Sequence, residues 1–240
     1  MNHIIIRRLA LMAASVSLSV LACVVLIGTS VLWNYAEASA PVSCQDALQF
    51  NSEDAQAVPI AIPCTPLIVE NLSTYDGSFF EDGSGREVRD VAAVMLYNSK
   101  DTIIPYAFVA IYTENCRYTF EVSMLPPKSA VLVPEQNAKT LKENRIVQAY
   151  GWAAGSALEN PVKINIEEIG MGSLKITNES GLKIHNLTIY HRTYIPEEEF
   201  YMGGTAFITE IPYIAPGETV NADPSNYAAG YSRVVYYECK

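Results

Sequence analysis

The sequence has few of the residues on which most hydrolases depend. It contains only three histidines, and two of them, His185 and His191, lie beyond the first forty residues. It has neither a G-x-S-x-G nucleophile motif nor an H-E-x-x-H zinc motif. We therefore predict no catalytic residues, no cofactor and no enzymatic activity.

The two histidines are six residues apart on one predicted strand. Alternation along a strand places His185 and His191 on the same face, at the two rims of the core if that face is buried. The strand between them spans about 20 Å. They are therefore not expected to bind one metal ion.

Positive charge is also scarce. The chain has 16 Lys and Arg against 26 Asp and Glu, a net charge of −10. Residues 1–40 contain Arg7, Arg8 and Glu37, a net charge of +1, so the remainder carries −11. Such an acidic chain excludes general electrostatic binding to nucleic acid or to an anionic membrane surface.

Charge is absent altogether from Leu9 to Ala36. A helix of about 20 apolar residues crosses a bilayer, so this length favours an uncleaved signal anchor within residues 1–40. Arg7 and Arg8 then stay in the cytoplasm, and the rest of the chain lies outside the cell membrane. The predicted partner of this segment is the membrane.

Two alternatives for the same segment remain open. Small residues at Ala36-Glu37-Ala38 and at Ala38-Ser39-Ala40 fit a cleavable signal peptide, which would release a secreted protein. Val20-Leu21-Ala22-Cys23 resembles a lipoprotein box, although an apolar run follows Cys23. Each alternative also places the remaining chain outside the cytoplasm.

Four cysteines follow the apolar segment, and none has C-x-x-C spacing. An even number in an exported chain indicates disulfides rather than a zinc site. We predict a Cys44–Cys64 bridge because it closes the shortest loop. Cys116 and Cys239 either pair with one another or remain free thiols.

The chain repeats itself. Aligning Asn98 with Asn178 places Ile104 on Ile184, Ala107 on Leu187 and Val109 on Ile189. Two later pairs of blocks keep the same order: Leu125-Pro126-Pro127 with Ile214-Ala215-Pro216, and Arg145-Ile146-Val147 with Arg233-Val234-Val235. The offset grows from 80 to 89 and then becomes 88, so we predict a duplication whose second copy has a longer hairpin.

Each copy is rich in short segments of Val, Ile, Tyr and Phe separated by Asn, Gly and Pro turns. This spacing predicts an all-β fold of two tandem β-sandwich domains after the transmembrane helix. The predicted boundaries are an extracytoplasmic linker at 41–64 and domains at 65–155 and 156–240. Within the two domains, only 138–144 is predicted to be helical.

The turn asparagine, the strand pattern I-x-x-[AL]-x-[VI] and the later [LI]-[PA]-P block resemble immunoglobulin-like modules of bacterial cell-envelope proteins, of the FxLYD and CARDB type. The resemblance covers about residues 65–240. Lys128 departs from it, because such a module usually has a glycine there, as the second copy has at Gly217. The resemblance implies an exported, non-catalytic module used in attachment or assembly.

Two surface features could carry an interaction. The acidic loop around Asp76, Glu81 and Asp82 offers oxygen ligands for a metal ion such as calcium. It lacks the spacing of a defined calcium loop, however, and this favours an ordinary polar loop over a metal site. Tyr106, Phe108 and Tyr112 alternate with core positions and form an aromatic stripe. It either packs within the chain or binds an external envelope protein or glycan.

The sequence thus predicts a membrane-anchored extracytoplasmic protein that serves binding or assembly in a bacterial envelope. The alternative is an accessory or sensing subunit of a membrane complex, in which the anchor helix itself makes contacts.

Overall fold

A computed structural model describes residues 58–155, 162–170 and 172–239, which form thirteen β-strands. The strands are β1 (Ile60–Ala61), β2 (Leu67–Phe79), β3 (Arg86–Asn98), β4 (Ile104–Tyr112), β5 (Arg117–Leu125), β6 (Ala130–Pro134), β7 (Gln148–Ala153), β8 (Ile164–Glu168), β9 (Leu174–Asn178), β10 (Ile184–Ile195), β11 (Phe200–Ile214), β12 (Thr219–Ala222) and β13 (Ser232–Glu238). Within these residues no helix has the length and apolar character needed to cross a bilayer. The predicted anchor at residues 1–40 lies outside the described part of the chain.

The strands form three sheets. The largest has seven strands in the order β1-β2-β3-β6-β11-β10-β13, and the other two have the orders β5-β4-β7 and β12-β9-β8. The all-β class is therefore confirmed, and the arrangement is consistent with a β-sandwich. All neighbouring strands are antiparallel except β6 and β11, which are parallel.

Two main hydrophobic clusters lie between the sheets. The first joins β1, β2, β3 and β6 with the sheet β5-β4-β7, and its members include Leu96, Val109 and Phe120. The second joins β10, β11 and β13 with the sheet β12-β9-β8, and its members include Ile176 and Ile189. Alternate residues of each strand supply these clusters, as expected for strands with one buried face.

The predicted equivalence of Asn98 and Asn178 is confirmed by their hydrogen bonds. Both side chains are fully buried. Asn98 Nδ2 donates to the carbonyls of Thr102, Leu125 and Pro126 at 2.9–3.4 Å. The Nδ2 of Asn178 donates to Leu182, Ile214 and Ala215 at 2.8–3.3 Å, and these carbonyls are the equivalents under the offsets of 80 and 89. Each Asn thus fastens its turn to the end of the facing hairpin.

The pairing order also occurs twice. In the first copy β2, β3 and β6 are neighbours and β4 lies between β5 and β7; in the second β8, β9 and β12 are neighbours and β10 lies between β11 and β13. The third predicted block is misaligned. Gln148 lies opposite Tyr112 and Arg233 opposite Arg192, so Gln148 rather than Arg145 corresponds to Arg233.

The longer hairpin of the second copy joins the two copies. Its extra residues extend β10 and β11 to a turn near Ile195 and Phe200, and Tyr201 and Met202 then pair with β6. The two copies pack closely at Gly204, where a Cβ atom would collide with the carbonyl oxygen of Glu121. The inserted residues therefore make one continuous seven-stranded sheet.

The predicted helix at 138–144 is wrong, and the predicted linker at 41–64 includes residues of the core. Residues 138–144 form an irregular segment rather than a helix, with a positive φ of 53° at Ala138 and a bridge from Thr140 to Val91. Ile60 and Ile62 belong to the first cluster, although the predicted linker includes them.

The cysteine predictions have different outcomes. Cys116 has a free thiol, so it does not pair with Cys239. The Cys44–Cys64 bridge stays a prediction, since Cys44 lies outside the described residues.

Candidate functional site: an aromatic sheet face

The predicted stripe lies on the outer face of the sheet β5-β4-β7. Ala107, Val109 and Ile111 of β4 are fully buried in the first cluster. Tyr106, Phe108 and Tyr112 alternate with them and are half-buried on the opposite side. The strand alternation predicted from sequence is therefore present, and the stripe does not face the core.

Two rings of the neighbouring strand β7 extend the stripe. Tyr106 packs on Trp152 with ring centroids 5.2 Å apart, and Tyr150 lies 6.4 Å from Phe108 and 5.9 Å from Tyr112. Trp152 is 42% exposed. We call the five rings of Tyr106, Phe108, Tyr112, Tyr150 and Trp152 the aromatic face.

Polar groups of β5 border these rings. The Arg117 guanidinium lies 5.8 Å from the Tyr112 ring centroid, and its Nη2 donates to the Tyr150 hydroxyl at 3.2 Å. Burial and a hydrogen bond to Glu121 raise the pKa of Tyr106. A hydrogen bond to Tyr150 raises the pKa of Tyr112. These tyrosines therefore stay neutral at physiological pH.

The sequence pattern does not identify β7 as a strand, so Tyr150 and Trp152 are not predicted from it. The segment QAYGWA contains a glycine and two alanines, which have low strand propensity. Its alternation of small residues with Tyr150 and Trp152 was the available signal. The small side chains lie on the same side as the core, and Ala149 is buried there.

The structure does not assemble the predicted metal ligands into a site. Asp76 accepts the amide of Asp90, Glu81 accepts those of Phe80 and Gly204, and Asp82 accepts that of Ser84 and the Arg86 side chain. In the described part of the chain, no three His, Cys, Asp or Glu side chains form a group able to hold a metal ion. Asp76 and Glu81 line a cavity of about 320 Å³, but their carboxylates stabilise the loop.

The two histidines do not share a face. Asn186 has a φ of 49°, and the alternation of buried residues changes there, so Ile184 and Leu187 both face the core. His185 is exposed and packs on Tyr213, with ring centroids 5.2 Å apart. The expectation from simple alternation is therefore wrong at this point.

His191 is fully buried between aromatic rings. Its ring centroid lies 5.5 Å from that of Phe207 and 5.2 Å from that of Tyr227. Neither ring nitrogen has a hydrogen-bond partner among the described residues. Burial lowers its pKa from 6.5 to about 4. A neutral histidine without a proton acceptor fits core packing and not general-base chemistry.

Comparisons of the chain with models of known protein families and with curated proteins find no match.

Proposed function

We propose that this chain is a membrane-anchored, extracytoplasmic binding or assembly protein of a bacterial cell envelope, without catalytic activity. In this proposal residues 65–155 and 156–240, with Ile60 and Ile62 added to the first, are tandem immunoglobulin-like modules, and the first module binds a partner through the aromatic face. The support for the modules is the strand order that occurs twice and the twin hydrogen-bond networks of Asn98 and Asn178.

The observation that carries the binding role is the position of the five rings. A solvent-facing row of aromatic residues on a sheet whose opposite face already supplies the core adds little to folding. Tyr and Trp are enriched at surfaces through which proteins bind other molecules, because their rings combine a large contact area with few rotatable bonds. Trp152 is the most accessible of the five.

Capture from native envelopes tests this role. The full chain and a variant with Tyr106, Phe108 and Tyr112 changed to Ser are used as baits, and thermal unfolding verifies that the variant is folded. We expect the parent to retain an envelope component that the variant loses. The control is Tyr213→Ser, because Tyr213 is an exposed tyrosine of the second copy and lies outside the aromatic face. A folded triple variant that retains every component would refute the role.

Replacing residues 1–40 by an unrelated anchor tests the alternative of an accessory or sensing subunit. If the aromatic face carries the function, capture survives the exchange. If capture is lost although the chain is exported and folded, the native anchor segment makes the contacts.

A further inference from the structure

We propose that the aromatic face binds a neutral polysaccharide, with successive sugar rings stacked along β4 and β7. This inference rests on the proposed function, since it names the ligand class of the same surface. It follows from the spacing of the rings, the polar groups beside them, the small accessible area and the charge.

The five rings form a preformed row. Tyr106 and Tyr112 are six residues apart on β4, a distance of about 20 Å along the strand. Lateral packing at 5.2–6.4 Å holds each ring against a neighbour, and Arg117 packs on the Tyr112 end. Side chains ordered before binding lose little conformational entropy on binding. The row therefore suits a linear ligand that repeats a flat unit.

The chemistry of the row matches a pyranose ring. A sugar presents C–H groups on its flat side, and the electron-rich face of an aromatic ring attracts such weakly positive hydrogens. The hydroxyl groups at the rim of a sugar need both donors and acceptors. Arg117, Glu121 and the tyrosine hydroxyls border the rings and supply both.

The accessible area argues against a protein partner. Each aromatic side chain has roughly 150–250 Å² in total, and four of the five rings are partly buried, so the face presents on the order of 300 Å² or less. A stable protein interface buries about 800 Å² on each partner. A second copy of this chain or another folded protein would therefore gain little from this surface alone, whereas a single polysaccharide strand is narrow enough to lie on it.

The charges select a neutral polymer. Arg117 and Glu121, which lie beside the rings, carry opposite charges. The chain beyond residue 40 carries −11, which repels polyanionic glycans and nucleic acids over a distance of several ångströms. A neutral polysaccharide meets no such repulsion.

Tryptophan fluorescence provides a direct test, because the chain has only two tryptophans, Trp33 and Trp152. The full chain with Trp33→Phe, in a detergent without a sugar headgroup, reports on Trp152 alone. It is titrated with four neutral hexasaccharides: the β-1,4-, β-1,3- and α-1,4-linked glucose oligomers and the β-1,4-linked N-acetylglucosamine oligomer. We expect at least one to change the emission saturably and calorimetry to give the same dissociation constant.

The variants decide whether binding occurs on this face. Tyr106→Ala with Tyr112→Ala leaves the reporter in place and should weaken binding at least tenfold, while Tyr106→Phe with Tyr112→Phe should retain most of the affinity because the rings remain. Tyr213→Ala should change affinity less than twofold. Unchanged binding in the folded double Ala variant would refute the site.

Titration and capture together distinguish polysaccharide binding from the more general binding role. If no hexasaccharide binds, the polysaccharide inference is wrong. The binding role still stands if capture from envelopes yields a component that the stripe variant loses. If capture and titration both fail with folded protein, both proposals are wrong.

Discussion

The outer faces of the two copies occupy equivalent positions but have opposite uses. In the first copy Tyr112 belongs to the exposed aromatic face. The equivalent residue of the second copy is Arg192, which is fully buried and donates to the backbone carbonyls of Ser123, Gly203 and Gly204. The same sheet position thus carries a solvent-facing ring in one copy and an internal contact in the other.

Other outer residues of the second copy are also buried against the first copy. Tyr190 and Ala206 of the second copy form a small buried cluster with Ile103 and Met124 of the first. Part of the outer face of the second copy therefore packs against the first copy. The rings of the aromatic face, by contrast, pack against one another within the sheet β5-β4-β7. A repeated strand order therefore constrains the core-facing residues and leaves the outer residues free to diverge.

The buried asparagine that the two copies share should have the greatest influence on the stability of the fold. Asn98→Ala and Asn178→Ala each remove a buried side-chain amide that donates to three backbone carbonyls, and we expect each to lower the free energy of unfolding by about 3 kcal/mol. Chemical denaturation measures this change. Asn71→Ala, at an exposed strand position, is the control and should change stability by less than about 0.5 kcal/mol. A much smaller loss for only one asparagine would show that the two networks are not equivalent.

The second effect concerns a core position at which the copies differ. His191 of the second copy corresponds to Ile111 of the first. Its pKa is about 4 when folded and 6.5 otherwise, so the unfolded chain binds more protons between these values. The stability contributed by neutral His191 is complete above pH 6.5 and is lost as the pH falls to 4, with a maximum of about 3 kcal/mol.

His191→Ile should remove this pH dependence. Stability is measured by denaturant unfolding at several pH values between 4 and 7.5, and the difference between parent and variant isolates the histidine from the acidic residues. A difference that does not vary with pH would contradict the proposed protonation.

The smallest effect concerns the turn at which the sequence departs from its own repeat. Lys128 has a φ of 48°, and the equivalent Gly217 has a φ of 72°. Only glycine adopts this region without steric cost, so Lys128→Gly should stabilise the chain by about 1 kcal/mol. Gly217→Lys should destabilise it by a similar amount. The contact of Lys128 with Asp101 is exposed and offsets little of the gain. Thermal unfolding of both variants tests these two predicted changes in stability.

Much of the fold was predictable because strand alternation and turn chemistry are local. Asn98, Asn178 and the proline blocks predicted the duplication, and Ala107 and Val109 predicted which face of β4 is buried. The stripe of Tyr106, Phe108 and Tyr112 followed from the same alternation. Tyr150 and Trp152 did not, because pairing of β7 with β4 brings together residues about forty positions apart in sequence.

The β class, the repeated order of elements and the aromatic stripe can be predicted from the sequence, since each depends on the spacing of side chains along one strand or turn. Three other features are seen only in the folded chain: the longer hairpin joins β6 to β11, Arg192 is buried, and five rings rather than three share one face. These features depend on contacts between distant segments, for which no local spacing provides a signal. A positive φ at a single residue, Asn186, was also enough to separate His185 from His191.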